Sequence, residues 1–268
     1  LSDIHGNSPA LRAVLEEIRR EGCTQAFVLG DIVNGVDPHG CVQLLHAWSA
    51  ANGGELACLK GNGEATLLIP DRASLPLGGG IWDTDLLDLL QWWQDHLSKS
   101  DLEWLRSLPE VIRRGNACLV HDSPMDRLVV RSRTRVPPEQ REWMFHGRGI
   151  QLDMPEQNWE ELLEYLGAEN IAQVFCGHPH RPFIKEVGGR LICNAGSAGM
   201  PLDGDPRPSW ALLEESEAGK RVVSIRRVSY DISLMIDLID RTPDYPDFRK
   251  PGYREAYKNM FLTGAPYR

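Results

Sequence analysis

The stretch Ala26-Phe27-Val28-Leu29-Gly30-Asp31 decides the fold. Four apolar residues closed by Gly-Asp read as a short strand buried on both faces. Upstream, Ser8-Pro9 opens an amphipathic helix. Ser8 suits the N-cap, Pro9 suits the first turn, and Leu11, Val14, Leu15 and Ile18 recur on one side. Gly22 ends it. Downstream, residues 38–51 repeat the helical period through Val42, Leu45 and Trp48, and residues 56–60 form another apolar run. Strands alternating with helices imply βαβ units and a mainly parallel sheet.

That rhythm continues and then changes. Residues 83–96 are helical, with Leu86, Leu90, Trp93 and Leu97 in period. Trp92 and Trp93 read as core rather than as a base-stacking platform. Ser100-Asp101-Leu102-Glu103 resembles a capping box. Residues 117–120 and 172–176 are strands, and Asn158 can cap a helix that ends at Gly167. Gly188-Gly189 is a two-residue hairpin signal between Phe183–Val187 and residues 190–193. Residues 210–213 and 222–228 form another pair, so the second half is more antiparallel. A late helix covers Ile232–Arg241. From Thr242 onward Pro, Tyr and charged residues mix without period, predicting an extended tail. The expected organisation is one domain over residues 1–241 and a surface extension over residues 242–268.

Residues 123–150 break the rhythm and read as an inserted loop or lid. They carry Arg127, Arg131, Arg133, Arg135, Arg141 and Arg148 against Asp126, Glu139 and Glu142. The segment is either a solvated, partly paired surface loop or a cap offering arginines to phosphate, for which the planar guanidinium is suited. The chain as a whole is acidic, with a net charge of −9, which argues against a general nucleic-acid binder. A hydrophobic content of 42% over 268 residues is enough for a substantial core. No apolar run approaches the ~20 residues that span a bilayer, and no signal peptide is visible. Six cysteines without a CxxC pair point to a reducing, cytoplasmic compartment.

The chemistry-bearing residues share one context. Asp3 and His5 lie at the start. Asp31, Asn62, His121, and the pair His178 and His180 each follow the end of a predicted strand. In an open α/β sheet those ends converge on one crevice. Carboxylate, imidazole and amide oxygen together suit Mn²⁺, Fe or Zn²⁺, whereas an all-oxygen set would favour Mg²⁺. Asp-x-His alone is a weak signal, and a lone His is more often a packed core residue. Five elements in one order and one context are a strong signal.

Those elements are Asp3-Ile4-His5, Gly30-Asp31, Gly61-Asn62-Gly63-Glu64, His121 and Gly177-His178-Pro179-His180. In this order they resemble the calcineurin-like metallophosphoesterase superfamily. Ser2-Asp-Ile-His-Gly-Asn7 and Asn194-Ala-Gly-Ser-Ala-Gly-Met-Pro201 resemble its small single-domain bacterial and archaeal branch. The resemblance implies an α/β fold with a mixed sheet, a four-layer αββα sandwich. It implies a phosphodiesterase or phosphatase for small phosphate esters that uses two divalent metals, Mn foremost, with Fe, Zn, Ni, Co or Mg as substitutes. Asp3, His5, Asp31 and His180 would hold one ion. Asp31, Asn62, His121 and His178 would hold the other, with Asp31 shared and a metal-bridging hydroxide as attacking group. Asp31, Asn62, His178 and Asn7 would be catalytic. Asn7 would add a hydrogen bond to a phosphate oxygen, and Arg127, Arg131, Arg148 and His146 are candidate substrate contacts.

Two departures stand out. Gly63 occupies the place where many members carry a proton-donating His, so another donor, His146 among the candidates, or a good leaving group is needed. Only Leu1 and Ser2 precede Asp3, where the family's first strand normally stands. So short a central strand would leave its neighbours' backbone groups unpaired, so either about five N-terminal residues are missing or another segment fills that slot. The alternatives to an esterase are a metal-binding scaffold of the same fold and, less favoured by the charge, a nuclease.

Overall fold

The computed structural model describes residues 1–52, 55–70, 81–125, 149–154, 156–216 and 221–266. Helix α1 (Ser8–Arg20) leads into β1 (Gln25–Val28), and α2 (Pro38–Asn52) crosses to β2 (Glu55–Cys58), which pairs parallel with β1. Among the described residues α3 (Asn62–Leu67), α4 (Ile81–Asp95) and α5 (Lys99–Ser107) follow. Then come β3 (Val111–Arg114), β4 (Ala117–Val120), α6 (Glu156–Ala168), β5 (Gln173–Cys176), β6 (Phe183–Val187) and β7 (Arg190–Asn194). Their strands form a mixed sheet in the order β3-β4-β5-β7-β6. The antiparallel ribbon β8 (Ser209–Glu215) and β9 (Arg221–Arg227) precedes α7 (Ile232–Arg241) and α8 (Tyr253–Thr263).

A second layer of strands is stitched together by main-chain bonds. Leu29 N donates to Leu1 O at 2.8 Å and Asp3 N to Gly30 O at 3.0 Å, so residues 1–3 run beside the end of β1. On their other side Ala198 N donates to Ser2 O at 2.8 Å and Gly199 N to Asp3 O at 3.0 Å. Ser209 N then donates to Ser197 O at 2.8 Å, which carries the layer into β8.

Alternation along the strands sets the layers. Ala26 and Val28 turn to a core shared with α1, α2 and α7. Phe27 and Leu29 turn the other way, to a core between the sheets with Leu59, Ile112, Leu119 and Phe175. Cys118, Val120, Val174 and Cys176 turn to α6, against Trp159, Leu162 and Leu166. Helix, strand, strand, helix is thus the order through the molecule, as expected. The second half is more antiparallel, also as expected: β6–β7 and β8–β9 are antiparallel, whereas β4–β5 and β5–β7 are parallel. Gly188 and Gly189 take φ of 55° and 70°, the backbone that a tight two-residue hairpin turn requires.

Several boundaries differ from expectation. The N-cap of α1 is Asn7, not Ser8, because the Asn7 Oδ1 reaches Ala10 N at 3.0 Å. The capping box opens α5 two residues earlier, between Ser98 and Asp101. Helix α6 starts at Glu156, ahead of Asn158. Strand β3 and helix α3 are additional. The tail is not extended: α8 places Tyr257, Met260 and Phe261 in the largest core, joined there by Tyr245.

Candidate metal centre

Every strand that points at the centre ends in a ligand-type residue. Asp31 follows β1, Asn62 follows β2 and opens α3, His121 follows β4, and His178 and His180 follow β5. Asp3 and His5 reach the same place from the turn hydrogen-bonded to Gly30 and Asp31. The seven predicted ligands are therefore brought together.

The first group is Asp3, His5 and His180, all buried. His5 Nε2 lies 3.0 Å from His180 Nε2, and Asp3 Oδ1 lies 3.3 Å from His180 Nε2 and 3.8 Å from His5 Nε2. Asp31 Oδ2 stands 3.6 Å from both His5 Nε2 and His121 Nε2, between the two groups. On the far side Asn62 Oδ1 is 2.9 Å from His121 Nε2 and 2.9 Å from His178 Nδ1. Asp3 Oδ1 also comes within 3.9 Å of His121 Nε2, so Asp3 is in reach of both groups.

Proton bookkeeping tests whether metals fit. A carbonyl oxygen only accepts, so a ring nitrogen bonded to one must carry the hydrogen. His121 Nδ1 faces Leu29 O at 2.7 Å, His180 Nδ1 faces Met200 O at 2.6 Å, and His5 Nδ1 faces Asn34 O at 3.4 Å. In its neutral form each ring thereby turns a lone pair on Nε2 inward, the arrangement in which a second-layer carbonyl fixes a metal-binding imidazole. Those lone pairs meet Asp31 Oδ2, Asn62 Oδ1 and a buried Asp3 Oδ1 that has no hydrogen-bond partner among the described residues. With the rings neutral these are acceptors converging without donors, which bound cations resolve as protons otherwise would, so the residues fit a metal pair.

The backbone carries a second mark. Asp3, His5, Asp31, His178 and His180 all have φ between 48° and 75°. Side-chain-bearing residues seldom adopt that left-handed region, and strain of this kind gathers at functional sites. Gly30 makes one approach possible: with φ of 88°, any Cβ there would stand 2.3 Å from Gly61 N.

The metal-free titration follows from crowding. Burial opposes ionisation of Asp3, but His180 and His121 outweigh it and hold the carboxyl well below its usual range. Burial is likewise outweighed at His121, where Asp31 and Asp3 raise the pKa to about 9. Burial and the neighbouring His121 lower His178 to about 4. A proton thus competes for the place a cation would take.

Asn7 has a structural task. It is fully buried, its Oδ1 caps α1, and its Nδ2 donates to Gly199 O at 2.7 Å and Tyr230 Oη at 3.2 Å. Both Nδ2 hydrogens are thus engaged within the fold. Arg127, Arg131, Arg148 and His146 lie outside the described residues. Gly149, just after that segment, is packed close to His178 and Pro179.

Sequence reasoning assigned no role to Glu64 and none to the Asn194–Pro201 motif. Glu64 accepts N–H bonds from Asp31, Ile32, Val33 and Gly61 at 2.7–3.1 Å, fixing the Asp31 turn against the Asn62 turn. Ser197 Oγ donates to Asp3 O at 2.6 Å, and Asn194 Nδ2 donates to Gly177 O at 2.7 Å. Their signal was their position inside or beside ligand motifs.

Among the described residues no helix is long and apolar enough to cross a membrane. The chain is 26% identical over 270 residues to an uncharacterized protein of Methanocaldococcus jannaschii, covering 91% of this chain and 93% of that one. A metallophosphoesterase from Sphaerobacter thermophilus has the same fold at 23% identity, with a TM-score of 0.63 over 99% of this chain and 98% of that one. So has a hypothetical protein from Pyrococcus horikoshii at 20% identity, with a TM-score of 0.71 over 99% and 97% of the two chains. The calcineurin-like phosphoesterase superfamily domain matches residues 1–218. Since that match spans the whole centre from Asp3 to His180, the chain belongs to the calcineurin-like phosphoesterase superfamily.

Proposed function

We propose that this chain is a dinuclear-metal-dependent hydrolase of phosphodiesters or small phosphomonoesters. The observation that carries the reading is the convergence of imidazole nitrogens and acceptor oxygens on one buried centre. Asp3, His5, Asp31 and His180 would hold one ion, and Asp31, Asn62, His121 and His178 the other. When bound, two divalent ions supply an activated water and a clamp on the attacking and leaving oxygens. The mixed carboxylate, imidazole and amide donors favour Mn²⁺ over Mg²⁺. Asp31 spans the two groups, Asn62 and His178 border the second, and Gly63 brings no side-chain proton donor to a leaving group. Arg127, Arg131, Arg148 and His146 are retained as substrate contacts on their charge alone. The absence of disulfides among six cysteines supports a reducing, cytoplasmic setting.

The test is Mn²⁺ loading followed by metal counting and assay with bis-p-nitrophenyl and p-nitrophenyl phosphate. Wild type should bind two ions per chain and turn over at least one ester. Asp31→Ala and Asn62→Ala should each lose at least 100-fold in rate, on the order of one general catalytic element. Undiminished hydrolysis in both variants sinks the metal mechanism. Fewer than one ion bound, with no turnover, favours the scaffold reading.

A further inference from the structure

A side chain at residue 63 would meet the end of Asn34. A Cβ on Gly63 would stand 2.7 Å from Asn34 Cγ, 2.8 Å from its Nδ2 and 3.0 Å from its Oδ1. The near-equal distances mean that the Asn34 carboxamide lies flat against Gly63. Asn34, in the turn between β1 and α2, therefore fills the space that a side chain following Asn62 would take.

From there it holds the shared carboxylate. Asn34 Nδ2 donates to Asp31 Oδ2 at 3.2 Å, and Gly63 N donates to Asp31 Oδ1 at 2.7 Å. One residue of the pair anchors each oxygen. Asp31 Oδ2 is the atom that faces both His5 and His121. The main-chain oxygen of Asn34 meets His5 Nδ1, so the same residue also orients a ligand of the first group. Turning the amide over would set its oxygen against Asp31 Oδ2, acceptor to acceptor, so the orientation is dictated by Asp31. In that orientation Asn34 Oδ1 is buried with no donor among the described residues. A buried acceptor left unpaired is costly and needs a reason, and the donor on the same amide supplies one.

Neighbouring contacts leave Asn34 little freedom. Val33 N is held by Glu64 at 3.1 Å, and Gly35 O accepts from Trp93 Nε1 at 3.1 Å. Gly35 is pressed so close to His5 that a Cβ would fall 1.9 Å from His5 O.

We propose that Asn34 is a positioning residue that orients Asp31 between the two metals, and that it works as one unit with Gly63, whose missing side chain makes room for it. This inference rests on the metal-centre reading above, and the experiment separates their failures. Wild type, Asn34→Ala, Gly63→Ala and the double variant are titrated with Mn²⁺ by equilibrium dialysis. Exchange coupling between paired ions is followed by electron paramagnetic resonance, and the melting temperature is recorded without metal.

Wild type should bind two coupled ions. Asn34→Ala should bind the weaker ion about 10–100-fold less tightly, the usual effect of removing a second-layer partner. Gly63→Ala, which pushes the carboxamide off Asp31, should show the same loss. The double variant should lose no more than the worse single one, because both act through one contact. Wild-type affinity for both ions in Asn34→Ala overturns the positioning role while leaving the proposed function intact. Fully additive losses in the double variant overturn the coupling of the pair. A parallel fall in metal-free melting temperature and in both affinities marks a merely structural role and overturns the proposal. Failure of wild type to bind two ions overturns both readings.

Discussion

Glu64 is fully buried, and it accepts two N–H groups on each oxygen: Asp31 and Gly61 on Oε2, Ile32 and Val33 on Oε1. Burial and the neighbouring Asp31 push its pKa up, while those donors favour the carboxylate. Glu64→Gln keeps the shape but sets an NH₂ against two main-chain donors. Each donor left unpaired costs roughly 1–3 kcal/mol, so the variant should lose about 2–5 kcal/mol in stability. The urea midpoint of the metal-free protein measures this, and an unshifted midpoint would remove Glu64 as the clamp of the Asp31 turn. At this scale the ligands were readable before the structure because each is chemically distinctive and follows an apolar run. Glu64 and Asn34 were not, since a carboxylate in a helix's first turn and an amide in a loop have many ordinary uses. Only the space above Gly63 and the ring of N–H donors reveal theirs.

At the scale of elements, the strands were legible because each central one is apolar on both faces, serving two cores at once. Strand β3, Val111–Arg114, escaped because half of it is arginine and it lies at the sheet edge, where one face and one flank meet water. Helix α3 escaped because its six residues give too short a window for a period. The caps moved by a residue or two because several polar residues near each helix start were chemically able to cap. Geometry chose among them, and at α1 the choice ties the element to the centre. Asn7 holds Ala10 N in the helix and Gly199 O in the loop whose next carbonyl, Met200 O, orients His180. Asn7→Ala should cost about 1–2 kcal/mol as a lost cap, with a further ~1 kcal/mol for the buried Gly199 carbonyl. Thermal unfolding checks the sum, and a change confined to phosphate affinity at unaltered stability would return Asn7 to a substrate role.

For the molecule as a whole, the tail is the largest revision. Tyr253, Tyr257, Met260 and Phe261 recur at helical spacing, but lysine, arginine and asparagine between them dilute the signal. Gly252 and Gly264, with φ of 81° and 65°, bracket the helix they form. The loop before β8 then hooks onto the end of that helix: Gly204 N donates to Gly264 O at 2.8 Å, and a Cβ on Gly264 would strike Asp205. Asp205 is fixed in turn by Arg207, whose Nη2 lies 2.6 Å from Oδ2, and its main-chain oxygen accepts from Arg227 at 3.3 Å. The hydrogen bonds from Arg207, with the charge of Arg227 adding to them, lower the Asp205 pKa from 3.8 to about 2. A carboxyl whose folded pKa is depressed stabilises the fold above its unfolded value and stops doing so as pH falls through the folded one. Asp205→Asn should therefore unfold at lower urea than wild type near neutral pH, by a modest margin because the pair is partly exposed and screened. That gap should hold down to about 3.8 and close toward about 2, as wild-type Asp205 takes up its proton. Added salt should narrow it at every pH above the window. A gap of constant size across the acid range would mean that Asp205 acts through its shape rather than its charge. The hook between the β8 loop and the C-terminal helix would then be a matter of packing alone.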